Sequence, residues 1–86
     1  MTVTTLHPDV LNGLAEVLAE VAGTPAEAVV PTAAFDKDLD VDSLTMVEVV
    51  VACEERFGVT IPDEALENLR TVGDAVQYIA DAGVAA

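Results

Sequence analysis

The run Asp36-Lys37-Asp38-Leu39-Asp40-Val41-Asp42-Ser43-Leu44-Thr45-Met46-Val47-Glu48 holds most of the side chains in this chain that could do chemistry. It offers a hydroxyl for nucleophilic or acceptor chemistry, alternating carboxylates for a cation and, a few turns further on, the one thiol, Cys53. A nucleophilic Ser43 needs a positioned base to take its proton. The single histidine, His7, lies at the other end of the chain, and the single lysine, Lys37, has acidic neighbours and no apolar pocket to lower its pKa. Ser43 is not expected to activate itself. Taken alone, a serine after an aspartate is also an ordinary helix-start pair.

Asp36, Asp38, Asp40 and Asp42 alternate as the ligands of a calcium loop do. An EF-hand beginning at Asp36 needs glycine at its sixth position and glutamate at its twelfth, where this chain has Val41 and Val47, with Glu48 one residue late. No specific metal site is expected, only diffuse screening by divalent cations. Cys53 falls in the middle of an apolar stripe, where a thiol behaves as a small hydrophobe. What remains is a serine that another protein modifies. In the first turn of a helix, Ser43 would hold an attached phosphate against backbone N–H groups and the positive end of the helix dipole. Asp40 and Asp42 oppose that phosphate, so the modifying enzyme must supply the cations.

The helix that Ser43 opens has two apolar faces. Met46, Val49, Val50, Cys53 and Phe57 recur at the spacing of a core-facing stripe. Leu44, Val47, Glu48, Val51 and Glu55 repeat that spacing on the opposite side. A small domain gains little from valines on a solvent face, so this second stripe reads as a docking surface with an apolar centre and an acidic rim.

The chain is expected to be all-α, a four-helix bundle of three longer helices and a short third one, with a long loop between helices one and two. Val10, Leu14, Val17, Leu18 and Val21 form the first stripe, entered near Pro8 and closed by Gly23, although Gly13 costs about 1 kcal/mol inside it. In the connection that follows, Thr24-Pro25-Ala26-Glu27 offers an N-cap hydroxyl, a proline at N1 and a glutamate at N3, which predicts one helical turn. Phe35 and Leu39 are the apolar anchors expected to tie that connection down. The second helix ends at Phe57-Gly58, Val59 to Pro62 reads as extended, and Asp63 to Asn68 as the short third helix. Thr71-Val72-Gly73-Asp74 resembles a capping box with aspartate in place of glutamate, opening a last helix whose stripe is Val72, Ala75, Val76 and Ile79. Residues 1–86 are read as a single domain, with 1–7 and 81–86 as frayed ends.

With 52% hydrophobic residues the chain is too apolar for disorder, yet Lys+Arg 3 against Asp+Glu 16 leaves a formal charge of -13. Nucleic acid and anionic membranes are poor partners for that surface, and proteins with basic patches are good ones. The single cysteine excludes an internal disulfide. No signal peptide or membrane-spanning run is visible, so a cytoplasmic monomer is expected.

Asp38-Leu39-Asp40-Val41-Asp42-Ser43-Leu44 resembles the phosphopantetheine attachment motif of acyl carrier proteins. The resemblance runs on through Val47-Glu48, Glu54-Glu55-Arg56-Phe57-Gly58, Ile61-Pro62-Asp63-Glu64 and Thr71-Val72-Gly73-Asp74 to Tyr78-Ile79. One place departs: the family's commonest pattern has glycine where this chain has Asp40, a substitution of carriers resembling those of actinobacterial fatty acid synthesis. The resemblance implies that Ser43, flanked by Asp42 and Leu44, receives 4′-phosphopantetheine from coenzyme A through a Mg²⁺-dependent phosphopantetheinyl transferase. Acyl chains then ride as thioesters on the thiol of that arm. It further implies that the transferase, a malonyl transferase, a ketosynthase and the other enzymes of fatty acid synthesis dock on Leu44, Val47, Glu48, Val51, Glu54 and Glu55. Glu54, taken alone, reads as an ordinary solvated residue. An acyl chain that threads between the helices would lie near Met46, Val50, Cys53, Phe57, Ile61, Leu69 and Val76. A free-standing carrier of fatty acid synthesis is the first expectation, a carrier of a polyketide or other thiotemplate pathway the second, and a plain interaction or calcium module a distant third.

Overall fold

The computed structural model describes residues 8–82; of the expected frayed ends, 1–7, with His7, and 83–86 lie outside the described residues, whereas at 81–82 the chain is still ordered, Asp81 being the last residue of the final helix and Ala82 its C-cap. Three α-helices, α1 (Pro8–Val21), α2 (Ser43–Phe57) and α3 (Val72–Asp81), are joined by a 3₁₀ turn at Ala26–Ala28 and a 3₁₀ helix at Asp63–Asn68. The four expected helices thus appear in order, and the only β pairing among the described residues is an isolated antiparallel bridge between Ala34 and Thr71.

Each α-helix buries the stripe that its sequence spacing marks. Val10, Leu14, Val17 and Leu18 of α1, Val49, Val50 and Cys53 of α2, and Val72, Ala75, Val76 and Ile79 of α3 are buried in one cluster. Val21, Met46 and Phe57 complete the stripes as partly buried side chains at its margin. α1 packs against both α2 and α3. Both Gly23 (φ +71°) and Gly58 (φ +68°) take the left-handed conformation that closes a helix, α1 and α2 respectively. Across Gly23, the Thr24 N–H returns to the Leu18 carbonyl, and the Gly58 N–H donates to the Glu54 carbonyl.

Gly13, an apparent fault in α1, is where the end of α2 crosses most closely. A Cβ there would lie 2.6 Å from Cζ of Phe57 and 2.9 Å from Nε of Arg56. Arg56 then reaches across to form an ion pair with Glu16, the only such pair among the described residues.

One expected cap did not form, and one helix differs in type. Thr24 does not cap the turn at 26–28: Pro25 is its N-cap, with no side-chain bond, and the Thr24 hydroxyl is buried without a hydrogen-bond partner among the described residues. The chain has already turned Thr24 inward to close α1, so its side chain faces the core rather than the next turn. The third helix is 3₁₀ rather than α, with Pro62 as N-cap, no side-chain cap and Ala65 its only buried residue. A segment this short, with one apolar anchor, keeps the tighter i to i+3 bonding. The capping box at α3 is complete: the Asp74 N–H donates to Thr71 Oγ1 at 3.1 Å, and Asp74 Oδ2 accepts the Thr71 N–H at 3.2 Å.

The long connection holds itself down as expected, through Phe35 and Leu39, with Val29, Ala33 and Val41 buried beside them. Its backbone is strapped to the entrance of α3: Phe35 N–H to the Arg70 carbonyl at 3.0 Å, Val72 N–H to Ala33 and Gly73 N–H to Pro31, each at 2.9 Å.

An alanine in place of glycine normally gains about 1 kcal/mol in a helix interior. Gly13→Ala should fail to show that gain, and Gly13→Leu should cost about 1–3 kcal/mol through overpacking against Phe57. Thermal and urea denaturation of the two variants measure both.

Candidate functional site

Ser43 is aimed by the three residues before it. Asp40 turns the chain through the left-handed region, φ 57°, the only non-glycine residue among the described ones to do so. An aspartate tolerates that conformation better than most residues, and glycine better still, which is the physical reason for the glycine of the common motif. The buried Val41 then pegs the chain, its N–H donating to the Phe35 carbonyl at 2.8 Å. Asp42 is extended and caps α2, Oδ1 accepting the Thr45 N–H at 2.8 Å, while the Asp42 carbonyl accepts the Met46 N–H at 2.8 Å. The Thr45 backbone N–H, with help from the Thr45 side chain, holds the Asp42 carboxyl below the ordinary aspartate range. Ser43, the first helical residue, is left exposed.

From Ser43 an open groove of about 650 Å³ runs between the loop 34–42, the first turn of α2 and the segment 66–70. Phe35, Val41, Met46 and Leu69 form its apolar floor; Lys37 and Arg70 stand among its walls. Beneath it, separated by Phe35, Met46 and Leu69, lies an internal void of about 10 Å³ with an apolar wall. That is room for hardly one water molecule. Of the residues expected around an acyl chain, Met46, Val50, Cys53, Ile61 and Leu69 line the void. Phe57 and Val76 do not: the Phe57 ring faces Gly13 at the crossing with α1, and Val76 is wholly enclosed in the core. Leu14, Phe35, Val49, Ala75 and Ile79 complete the wall, residues whose helical or anchoring spacing marks them as core without saying which part of it.

On the opposite face of α2, Leu44 is 71% exposed and Val47 and Val51 are each 47% exposed, with Glu48 and Glu55 beside them. Glu54 differs from the other expected docking residues. Its Oε2 accepts the Ile61 N–H at 2.7 Å in a part-buried bond, tying the extended segment after Gly58 back onto α2. No local sequence signal marks this tie, because the acceptor and donor meet only after the chain reverses at Gly58.

The remaining groups bring no second chemistry together. Burial pushes the Cys53 thiol up to about 12, so at neutral pH it carries its proton inside the core. The aspartates of the calcium-like run diverge: Asp38 Oδ2 accepts the Ala34 N–H at 2.7 Å, Asp42 caps α2, and Asp40 is turned out by its backbone. Among the described residues no three His, Cys, Asp or Glu side chains cluster as metal ligands do, and no helix is long and apolar enough to cross a membrane.

Comparison with known proteins bears on this arrangement. A family described as "Phosphopantetheine attachment site" matches residues 12–79. An acyl carrier protein of Acidothermus cellulolyticus is 63% identical over 78 residues, 91% of this chain and 93% of that one. An acyl carrier protein of Thermobifida fusca is 52% identical over 71 residues, covering 83% of this chain and 90% of the relative. A meromycolate extension acyl carrier protein of Mycolicibacterium aurum is 52% identical over 71 residues, 83% of this chain and 73% of its own.

The depressed Asp42 carboxyl has a pH signature. The cap's contribution is fully present above the unfolded value, about pH 4, and is lost as pH falls through the lower folded value. Asp42→Ala should lower the urea midpoint at neutral pH. The urea midpoints of wild type and variant should converge in acid, and a gap that persists to the lowest pH would show that the carboxylate is not the cap.

Proposed function

This chain belongs to the acyl carrier proteins, the family of the phosphopantetheine attachment site, and from that premise we propose that Ser43 is the residue to which 4′-phosphopantetheine is joined. The observation that carries this reading is the placement of one exposed hydroxyl at the first position of a capped helix, opening directly into a groove with an apolar floor. The arm supplies a terminal thiol on which acyl groups are held as thioesters for fatty acid synthesis. The protein's own part is presentation. Asp42 fixes where α2 begins and so the direction of Ser43 Oγ, Asp40 and Val41 set the approach of the loop, and Leu44 remains in solvent beside the hydroxyl.

Enzymes reach Ser43 over the outer face of α2. Leu44, Val47 and Val51 give them an apolar centre, and Glu48 and Glu55 an acidic rim suited to basic partner surfaces. The phosphopantetheinyl transferase, malonyl transferase and ketosynthase are the partners this face fits, acting on a cytoplasmic monomer. Glu54, whose carboxylate is committed to Ile61, contributes to this face by holding its far end in shape. The carrier itself is not a catalyst: among the described residues no base is hydrogen-bonded to the Ser43 hydroxyl, and the one thiol is buried and protonated.

An alkyl chain entering from the groove would pass Met46, Phe35 and Leu69 to reach the void. Since the void is so small, the helices must part to admit it, and burial of about 0.8 kcal/mol per CH₂ offsets that work. A core of valines, alanines and leucines with few rings is suited to such parting.

Two measurements test the reading. Ser43→Ala, co-expressed with a phosphopantetheinyl transferase, should fold and show by intact mass no added phosphopantetheine, whereas wild type is fully modified; a modified Ser43→Ala protein removes the assignment. Val51→Lys and Glu48→Lys should lower kcat/KM of the transferase and the ketosynthase about tenfold or more with unchanged helicity, and wild-type affinity should fall with salt. Unchanged kinetics in both variants would move docking elsewhere.

A further inference from the structure

The chain has only three lysine and arginine side chains against a net charge of -13. Arg56 is paired with Glu16 on the far side of the molecule. The other two, Lys37 and Arg70, come from segments distant in sequence and line the same groove, the one that opens at Ser43. Both are exposed, and neither has a carboxylate within ion-pair distance among the described residues, although acidic side chains outnumber cations about fivefold. Their convergence is held by the backbone: the Phe35 N–H donates to the Arg70 carbonyl, and the Arg70 N–H donates to Asp74 Oδ2 at 3.3 Å. The strap therefore fixes the Lys37 loop beside Arg70 without using either cationic head.

The groove's own carboxylates do not answer these cations. Asp42 is committed to the Thr45 N–H, and Asp36 and Glu67 stay beyond ion-pair reach of Lys37 and Arg70. What the groove offers is an apolar floor with two free cations on its walls. A purely alkyl cargo would use the floor alone. A short acyl group ending in a carboxylate would use both, with methylene against Phe35 and Met46 and its charge toward Lys37 and Arg70, in a protein whose overall field otherwise repels anions.

We propose that the groove beside Ser43 is a carboxylate cradle, in which Lys37 and Arg70 hold the free carboxylate of a short dicarboxylic acyl group carried as its half-thioester, of the malonyl type. The proposal rests on Ser43 bearing the phosphopantetheine arm. It makes these two residues cargo-positioning groups of the carrier itself, and it distinguishes the resting place of a charged cargo from the apolar void below the groove.

The test uses the full chain loaded with a hydrolytically stable malonyl isostere carrying ¹³C in its free carboxylate. Intact mass first establishes loading, and absence of loading on Ser43 overturns the proposed function and the cradle with it. In the loaded protein, the carboxylate's NMR titration midpoint should lie about half a pH unit or more lower in wild type than in Lys37→Gln/Arg70→Gln. Arg56→Gln, which removes one positive charge far from the groove, as each single groove variant does within it, should leave the midpoint where wild type has it. Equal midpoints in wild type and the double variant overturn the cradle while leaving the arm on Ser43 intact. A double variant that moves only the ³¹P resonance of the arm's phosphodiester assigns the cations to the phosphate and also overturns it. Should the double variant fold poorly, Lys37→Gln and Arg70→Gln singly give the same reading, each with a smaller shift in the same direction.

Discussion

The backbone strap between the long connection and the entrance of α3 is the contact on which the functional end of this molecule depends. Pro31, Ala33 and Phe35 exchange main-chain hydrogen bonds with Arg70, Val72 and Gly73, around the lone bridge of Ala34 with Thr71. Without it, some twenty residues between α1 and α2 would be held by side-chain burial alone, and ordering a connection of that length carries a cost of roughly 1–2 kcal/mol per residue in backbone entropy. With it, Phe35 is seated, Val41 can bond back to Phe35, and Asp42 arrives at α2 from a defined direction. The strap also sets the width of the groove, since it fixes the loop carrying Lys37 against the segment carrying Arg70.

Within that frame Ser43 is positioned by a chain of short-range decisions, each with its own cost. Asp40 accepts a left-handed backbone so that Val41 can turn inward, and its neighbour Asp42 then spends its carboxylate on the first turn of α2. The exposed Ser43 is the product. Among the described residues no base is hydrogen-bonded to its hydroxyl. The same helix has two apolar faces, with Val49, Val50 and Cys53 building the core and Leu44, Val47 and Val51 left in solvent.

Charge divides the surface in a comparable way. Carboxylates dominate the rim of α2 and repel one another, which favours basic partners and lowers the cohesion of a small bundle. The cations are the scarce residues, and their positions are informative for that reason: one closes the α1–α2 crossing at Gly13, and two stand over the groove. Gly13 itself, unfavourable by helix propensity, is explained by the Phe57 ring that occupies the space a side chain would need.

The sequence by itself determined the helical segments, their buried stripes, the capping box at Thr71, the anchors Phe35 and Leu39 and the serine at the start of α2, because each depends on residue types a few positions apart along one chain. It also determined the family, through motifs spread from Asp38 to Ile79. Only the tertiary structure decided what lies between segments. Thr24 was committed to closing α1 and could not cap the next turn, Glu54 found Ile61 after a reversal at Gly58, and Phe57 was drawn to the α1 crossing rather than to the void. Lys37 and Arg70 read as isolated charges until the strap brought their segments together. In each case the deciding partner is supplied by packing, and local periodicity carries no information about which distant group will arrive at a given face.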